Sequence, residues 1–245
     1  MVVGDPKIAR LLEHPAIWRG RSAAQRAGLP TGFAALDEYL PDGGWPRTGL
    51  IEFLVSRFGS GELTLLVPAL ATLTRAVAAR WCVWVAPPLV PFAPALVSCG
   101  VVLDRVAVVG TFGARQDARF RADPGIDHPS KSRSPLLTTF SDQQDARFRG
   151  DPGIWAFEQT LGSGACDAVL GWLRLAKARD IRRLQLAAER GRTLGVLFRP
   201  RRAAREASAA VLRLSIEPLA EGVRVTLLKG RSVRRDALDL PWPGS

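Results

Sequence analysis

The sequence predicts an α/β fold in which helices flank a mostly parallel β-sheet, with an antiparallel hairpin at the C-terminal edge. Short apolar runs rich in β-branched residues alternate with segments whose apolar residues recur at helical spacing. Most of the runs are separated by a predicted helix, which is the connection that parallel strands need. Only residues 218–221 separate the last two runs, and so short a link favours antiparallel pairing.

The first predicted strand follows a glycine turn. Gly43-Gly44-Trp45-Pro46 leads into the apolar strand Leu50–Val55, and Glu62–Ala79 carries leucine and valine at helical spacing. The run Trp81–Ala86 is predicted to be a strand buried on both faces, which Pro87 ends. A short helix and a strand complete this half, at Pro94–Cys99 and Arg105–Val109.

The same alternation continues in the second half of the chain. The segment Lys177–Arg190 is amphipathic, which predicts a helix with one side packed on the sheet. A shorter helix is predicted at Trp155–Leu161. The remaining predicted strands are Asp167–Leu173, Leu194–Phe198, Ala210–Glu217 and Gly222–Lys229, of which the last two form the hairpin.

A direct repeat interrupts this alternation. Gln116–Ile126 recurs as Gln144–Ile154 with ten of eleven residues matched. Neither the repeat nor the polar segment inside it has a helical or strand period, so residues 119–154 are predicted to be a flexible insertion. The predicted organisation is an N-terminal extension at 1–30, a domain at 31–229 that contains the insertion, and a tail at 230–245.

Composition limits the class of protein. The 245 residues are 47% hydrophobic, which suffices for a sizeable core. No apolar run reaches the ~18 residues needed to cross a bilayer, and no secretory signal opens the chain, so a cytoplasmic location without a membrane partner is expected. Cys82, Cys99 and Cys166 lack metal-ligand spacing and predict reduced thiols. The net charge of +11 leaves contact with DNA phosphates open.

The segment Leu50–Thr64 has the layout of a strand and a phosphate-binding loop without the residues that hold a nucleotide. A working loop ends in Gly-Lys-Ser/Thr, whose lysine meets the phosphates and whose hydroxyl holds Mg²⁺. Here Glu62 and Leu63 follow Gly61. The Glu62 carboxylate would repel phosphate, and Leu63 offers no oxygen to a metal ion. A plain glycine turn is the alternative interpretation.

Longer strings carry a resemblance to RecA-like proteins over about residues 29–229, apart from the insertion. They include LPTGFAALDEYLPDGGWPRTGLIEF, SGACDAVL and VRVTLLK. Within that group, the chain resembles the ImuA family, accessory proteins of bacterial SOS mutagenesis, through HPAIWRG, GGWPR, WVAPP and LQLAAE. The resemblance therefore implies a RecA-like version of the predicted α/β fold.

The resemblance also implies that three further ATPase positions are lost. Pro88 stands where a water-activating carboxylate follows the second strand, and Trp172 replaces the acid on the Mg²⁺ side. Pro200 stands where a polar residue senses the γ-phosphate. Because phosphoryl transfer depends on such groups, we expect a degenerate ATPase fold with no enzymatic activity, catalytic residue, cofactor or metal.

The ImuA resemblance implies a function and partners as well. It predicts a non-catalytic scaffold in DNA-damage-induced translesion synthesis. The implied partners are an ImuB-like Y-family polymerase homologue and an error-prone C-family DNA polymerase, with RecA as a further candidate. Two alternatives stay open: a SulA-type cell-division inhibitor that binds FtsZ, also a RecA-like fold without ATPase motifs, and a weak nucleotide-dependent recombinase.

Candidate contacts with DNA or a partner lie in a basic loop and at the two ends of the chain. The loop follows a predicted core strand, and its guanidinium groups either hold phosphates or face solvent. Trp18 and Trp242 are candidate aromatic anchors for a partner, with packing on the chain's own domain as the alternative. The arginines of the loop are Arg199, Arg201, Arg202 and Arg205.

Overall fold

Helices pack on both faces of one twisted sheet in the computed structural model of the chain. The structure describes residues 28–59, 61–110, 151–173, 175–230 and 236–242, and the backbone of 137–139. Most of the predicted N-terminal extension and most of the predicted insertion lie outside these ranges.

The helices and strands follow the alternation expected from the sequence. The helices are α1 (Ala34–Tyr39), α2 (Val67–Arg75), α3 (Ala93–Ser98), α4 (Pro152–Gly162) and α5 (Ala178–Gly191). Short 3₁₀ turns occupy Leu103–Arg105 and Arg201–Arg205. The strands are β1 (Gly49–Val55), β2 (Trp81–Val85), β3 (Val106–Gly110), β4 (Leu137–Thr139), β5 (Cys166–Trp172), β6 (Leu194–Pro200), β7 (Leu212–Leu219), β8 (Gly222–Lys229) and β9 (Leu238–Pro241).

The strand order within the described residues is β4-β3-β2-β5-β6-β1-β7-β8-β9. All neighbours from β4 to β7 pair in parallel. The pairs β7–β8 and β8–β9 are antiparallel. The predicted mixed α/β class, with a mostly parallel sheet and a C-terminal hairpin, is therefore confirmed.

Each face of the sheet has its own apolar core. One core lies under α1, α2 and α3 and contains the buried aromatic residues Trp45, Phe53 and Phe198. The other lies under α4 and α5 and includes Phe157 and Leu184. β1 is buried along its whole length, because it lies inside the sheet and has a core on each face.

Helix α2 is shorter than predicted. It begins at Val67 rather than Glu62, and the residues before it form turns. Pro68 in the first helical turn has no N–H to donate, which suits it to a helix start. Periodicity alone missed this boundary because Leu63 and Leu66, although in turns, pack against the same core as the helix.

Helix α4 begins inside the segment predicted to be an insertion. Asp151 is its N-cap, and the carboxylate accepts hydrogen bonds from the N–H groups of Gly153 and Ile154 at 2.8 and 3.3 Å. Pro152 takes the first helical position, where proline is well tolerated. The second copy of the repeat therefore supplies the start of a core helix, and β4 also lies within the predicted insertion.

The C-terminal segment adds a strand that the sequence did not predict. Leu238–Pro241 pairs with β8, and the Arg224 guanidinium donates two hydrogen bonds to the Asp239 carboxylate at 2.6 and 2.7 Å. Leu240 is buried in the core under α1 and α2. Proline excludes a helix here but allows an edge strand, which explains the difference from the prediction.

Candidate functional site at the carboxyl edge of the sheet

The carboxyl ends of the parallel strands meet at one edge of the sheet, where ligands bind in open α/β folds. Four segments follow β1, β2, β5 and β6 there. They are residues 56–62, 86–92, 173–176 and 201–206. All sequence-predicted positions within the described residues, apart from Trp242 in the tail, lie in or beside these segments.

A side chain of the protein itself occupies the loop after β1. The N–H of Gly59 donates to Oε1 of Glu62 at 2.8 Å, and the Glu62 side chain is buried. In a phosphate-binding loop, backbone N–H groups of this kind cradle the phosphates. Glu62 thus supplies a hydrogen-bond acceptor inside the loop, which is a structural role for the residue that follows Gly61.

The C-terminal tail closes the same loop from outside. Gly61 has φ of +88°, a conformation that favours glycine, and a methyl group added there would overlap the ring of Trp242. Trp242 is half-buried and packs against the core under α1, α2 and α3, and its backbone N–H donates to the carbonyl of Glu221 at 3.2 Å. The structure therefore places Trp242 on the chain's own loop.

Aromatic packing fills the positions next to that loop. Trp172 is buried and stacks on Phe198, with ring centroids 4.6 Å apart and an interplanar angle of 15°. Trp84 lies on the other side of Trp172, with centroids 5.6 Å apart. Leu63 packs against the same core, and the half-buried Pro88 and Pro200 carry no polar side chain. None of these predicted positions offers an oxygen ligand, and no cluster of metal-binding side chains occurs among the described residues.

The predicted basic loop divides into one buried arginine and three at the surface. Arg199 is 2% exposed, and its guanidinium donates to Glu52 Oε1 at 2.8 Å, to the Ala176 carbonyl at 2.6 Å and to Glu206 Oε2 at 2.6 Å. Burial lowers the pKa of Arg199, but the hydrogen bonds and charges of Glu52 and Glu206 outweigh burial and raise this pKa above its usual value. Arg199 consequently holds the loop in place from inside and does not face solvent.

A second buried arginine supports the loop from the neighbouring strand. Arg213 Nε lies 2.6 Å from Glu52 Oε2, an ion-pair contact without the alignment of a hydrogen bond. The Arg213 guanidinium also donates to the carbonyls of Ala203 at 2.7 Å and Glu206 at 3.1 Å. Glu52 on β1 therefore pairs with arginines from both adjacent strands, and this network anchors residues 201–206.

The remaining arginines of the loop are exposed. Arg201 forms an ion pair with Glu217 at 2.8 Å. Arg202 and Arg205 lie on the outer side of the 3₁₀ turn. Trp18, the other predicted anchor, lies outside the described residues.

An apolar surface at the same edge was missed by the sequence analysis. Leu89, Val90 and Phe92 follow β2 and are 65%, 74% and 71% exposed, and Leu175 follows β5 and is 73% exposed. The sequence did contain an indication, because LVPF lies in a proline-flanked loop and belongs to neither a strand nor a helix. Loops usually carry polar residues, so an apolar loop points to a contact.

Two of the three cysteines lie in strands of the sheet. Cys82 and Cys166 are buried and free, and Cys99 is exposed and free. Burial, together with the nearby charges of Asp167 and Cys166, raises the pKa of the Cys82 thiol to about 12.

No helix among the described residues is long and apolar enough to cross a membrane.

The fold and the site define a mixed α/β protein in which the loop after β1 is filled by side chains of the chain itself. No family model matches the chain. A stretch of 58 residues is 43% identical to the cell division inhibitor SulA of Photorhabdus laumondii, covering 24% of this chain and 33% of that protein. The chain thus matches about a third of the length of this curated relative. Among solved structures, SulA from Pseudomonas aeruginosa is similar at a TM-score of 0.38 and 20% identity, over 61% of this chain and 97% of that chain.

The match to the curated relative corrects the identification made from the sequence. The matched relative is a cell division inhibitor, so the expected membership of the ImuA family and the role in translesion synthesis are wrong. The expected partners fall with them: the ImuB-like polymerase homologue, the C-family polymerase, RecA and DNA. The strings GGWPR and WVAPP misled because their tryptophans, Trp45 and Trp84, are buried core residues that report packing rather than a partner.

Proposed function

We propose that the chain is a non-enzymatic cell-division inhibitor of the SulA type, which acts in the cytoplasm by binding FtsZ. The observation that carries this proposal is the 43% identity to the cell division inhibitor SulA over 58 residues. FtsZ is the partner expected for the SulA-type alternative that the sequence analysis left open. Binding a partner requires a presented surface and no reaction chemistry.

The proposal that the chain is not an enzyme has its own support. The Glu62 carboxylate accepts a hydrogen bond inside the loop where a phosphate would have to lie, and Trp242 packs over Gly61. An ATPase would need a lysine and an oxygen ligand at this edge, and the sequence has Glu62 and Leu63 instead. A RecA-like origin of the fold belongs to the same proposal and is supported by the parallel sheet and the position of this glycine loop after β1.

Expression of the chain in dividing bacteria tests the proposal. We expect cells that grow into filaments, with labelled FtsZ no longer gathered into rings, because an FtsZ-binding inhibitor prevents septum formation. Expression of a variant with Phe53→Asp, which puts a charge into the core and should not fold, provides the inactive control. Cells of normal length with intact FtsZ rings at matched levels of the wild-type chain would contradict the proposed function.

A further inference from the structure

The segments after β2 and β5 form an exposed apolar patch, defined here as Leu89, Val90, Phe92 and Leu175. Each of these side chains is between 65% and 74% exposed. The strands that carry them are neighbours, with Val85 paired to Gly171, so the two segments emerge side by side from one edge. Exposed apolar side chains grouped at one edge of a folded domain indicate a contact site.

Proline residues restrict the loop after β2, which carries three of the four patch residues. Pro87, Pro88 and Pro91 restrict its backbone. Ala86 turns the chain with φ of +51°, and its N–H donates to the Val109 carbonyl at 2.8 Å. A loop that is already ordered loses little conformational entropy when a partner binds, which favours affinity.

Cationic side chains follow β6, and the end of β6 is tied to the segment that carries Leu175. The Arg199 guanidinium donates to the carbonyl of Ala176, the residue after Leu175, and so ties this segment to the end of β6. The 3₁₀ turn that follows β6 presents Arg202 and Arg205 to solvent. The carboxyl edge therefore has an apolar half and a positively charged half that share Leu175–Ala176 as their border.

We propose that this edge is the surface through which the chain binds FtsZ, at a face of FtsZ where apolar side chains lie beside carboxylates. This inference rests on the proposed function. Exposed phenylalanine and leucine side chains suit the buried centre of an interface. Exposed arginines attract a partner of opposite charge and orient it, and the net charge of +11 acts in the same direction.

Binding of purified FtsZ to surface variants of the full chain tests the inference. We expect the double variant Phe92→Asn/Leu175→Asn to weaken binding by about tenfold or more, because apolar anchors at the centre of an interface carry much of the binding energy. The variant Arg202→Glu/Arg205→Glu should bind more weakly and lose part of the salt dependence of association. All four positions are exposed, and thermal unfolding of each variant checks that the fold is intact.

Two exposed apolar residues away from this edge provide matched controls. Val77 lies after α2 and Leu186 lies on α5, and both are exposed. We expect Val77→Asn and Leu186→Asn to bind FtsZ within about twofold of the wild type, because surface substitutions outside an interface have little effect. The controls separate loss of the patch from a general loss of surface hydrophobicity.

The possible outcomes are distinguishable. If the wild-type chain binds FtsZ and the patch variants bind equally well, the inference is wrong and the proposed function stands. If the patch variants instead abolish a dimer of this chain and leave FtsZ binding unchanged, the edge is a self-association face and the inference is also wrong. If the wild-type chain does not bind FtsZ, the proposed function fails and the inference fails with it.

Discussion

Single residues at the carboxyl edge show what the loop after β1 does in the fold. Glu62 is buried and accepts the Gly59 N–H, so the carboxylate has become part of the loop. Arg199 and Arg213 pair with the buried Glu52 and with backbone carbonyls below the basic loop. The side chains that look most like ligand-binding groups in the sequence are thus used to hold the edge together.

Restoring the missing lysine should not restore nucleotide binding. In Glu62→Lys the loop loses its internal acceptor and gains a buried ammonium group, so we expect the free energy of unfolding to fall by about 1–3 kcal/mol. Urea unfolding measures the change, and Glu62→Gln, which keeps a carbonyl acceptor, should cost less. A Glu62→Lys variant that bound a fluorescent ATP analogue at micromolar concentration would contradict this assignment.

The buried and exposed arginines of the basic loop should differ sharply in their effect on stability. Arg199→Met leaves Glu52 with one partner fewer in a buried site, and we expect a loss of about 3–5 kcal/mol. Arg202→Met, three residues along the same loop, should change the free energy of unfolding by less than about 0.5 kcal/mol. Equal effects of the two substitutions in urea unfolding would show that Arg199 is not a structural residue.

The Cys82 thiol should make the fold less stable at alkaline pH. Its pKa is about 12 in the folded chain against an ordinary value of 9.0. Above pH 9 the unfolded chain loses this proton while the folded chain keeps it, so stability from this group is complete below pH 9 and falls by about 1.4 kcal/mol per pH unit up to 12. Urea unfolding of the wild type and of Cys82→Ala at pH 8 to 10.5 measures this loss of stability. The contribution of Cys82 is the difference between the two proteins in the slope of unfolding free energy against pH, and equal slopes would refute the prediction.

At the scale of elements, the tail and the glycine loop form one packed unit. Strand β9 places Trp242 against Gly61, although about 180 residues separate them in the chain. A contact of this kind joins the antiparallel edge of the sheet to the loop at the end of β1. Proline-containing tails give no periodic pattern, which is why the sequence did not predict it.

Substitutions at Gly61 and Trp242 should therefore be coupled. Gly61→Ala introduces a methyl group that overlaps the Trp242 ring and a left-handed backbone conformation that alanine disfavours. We expect it to cost about 1–3 kcal/mol in the wild type and markedly less in a Trp242→Ala background, where only the backbone cost remains. A double-mutant cycle by urea unfolding measures the coupling, and strictly additive costs would contradict the contact.

The elements show which parts of the fold follow from sequence. Strands β1, β2, β5 and β6 were predicted to within two residues at each end, because buried parallel strands are short apolar runs bounded by glycine or proline. Helix α4 was placed three residues late, since its cap Asp151 lies within the repeat. Arg199 was expected in a solvated loop because sequence does not show that Glu52 faces it from β1.

At the scale of the whole molecule, the carboxyl edge of the sheet carries the closed loop after β1, the exposed apolar patch and the exposed arginines. The loop after β1 is closed by Glu62 and Trp242, and the neighbouring strand ends present an apolar patch and arginines outward. The wrong family assignment arose at this scale, because strings from the core identify a type of fold and not its partner. Partner choice depends on surface loops, which have no regular sequence pattern.

The most direct test of the account is the effect of the purified chain on FtsZ assembly without added ATP. We expect increasing amounts of the chain to lower both the GTPase rate of FtsZ and the amount of polymer that sediments, equally with and without ATP. Inhibition of that kind requires binding to FtsZ and no nucleotide chemistry in the chain itself. FtsZ that polymerises and hydrolyses GTP normally in an excess of the folded chain, or inhibition that appears only with ATP, would contradict the account.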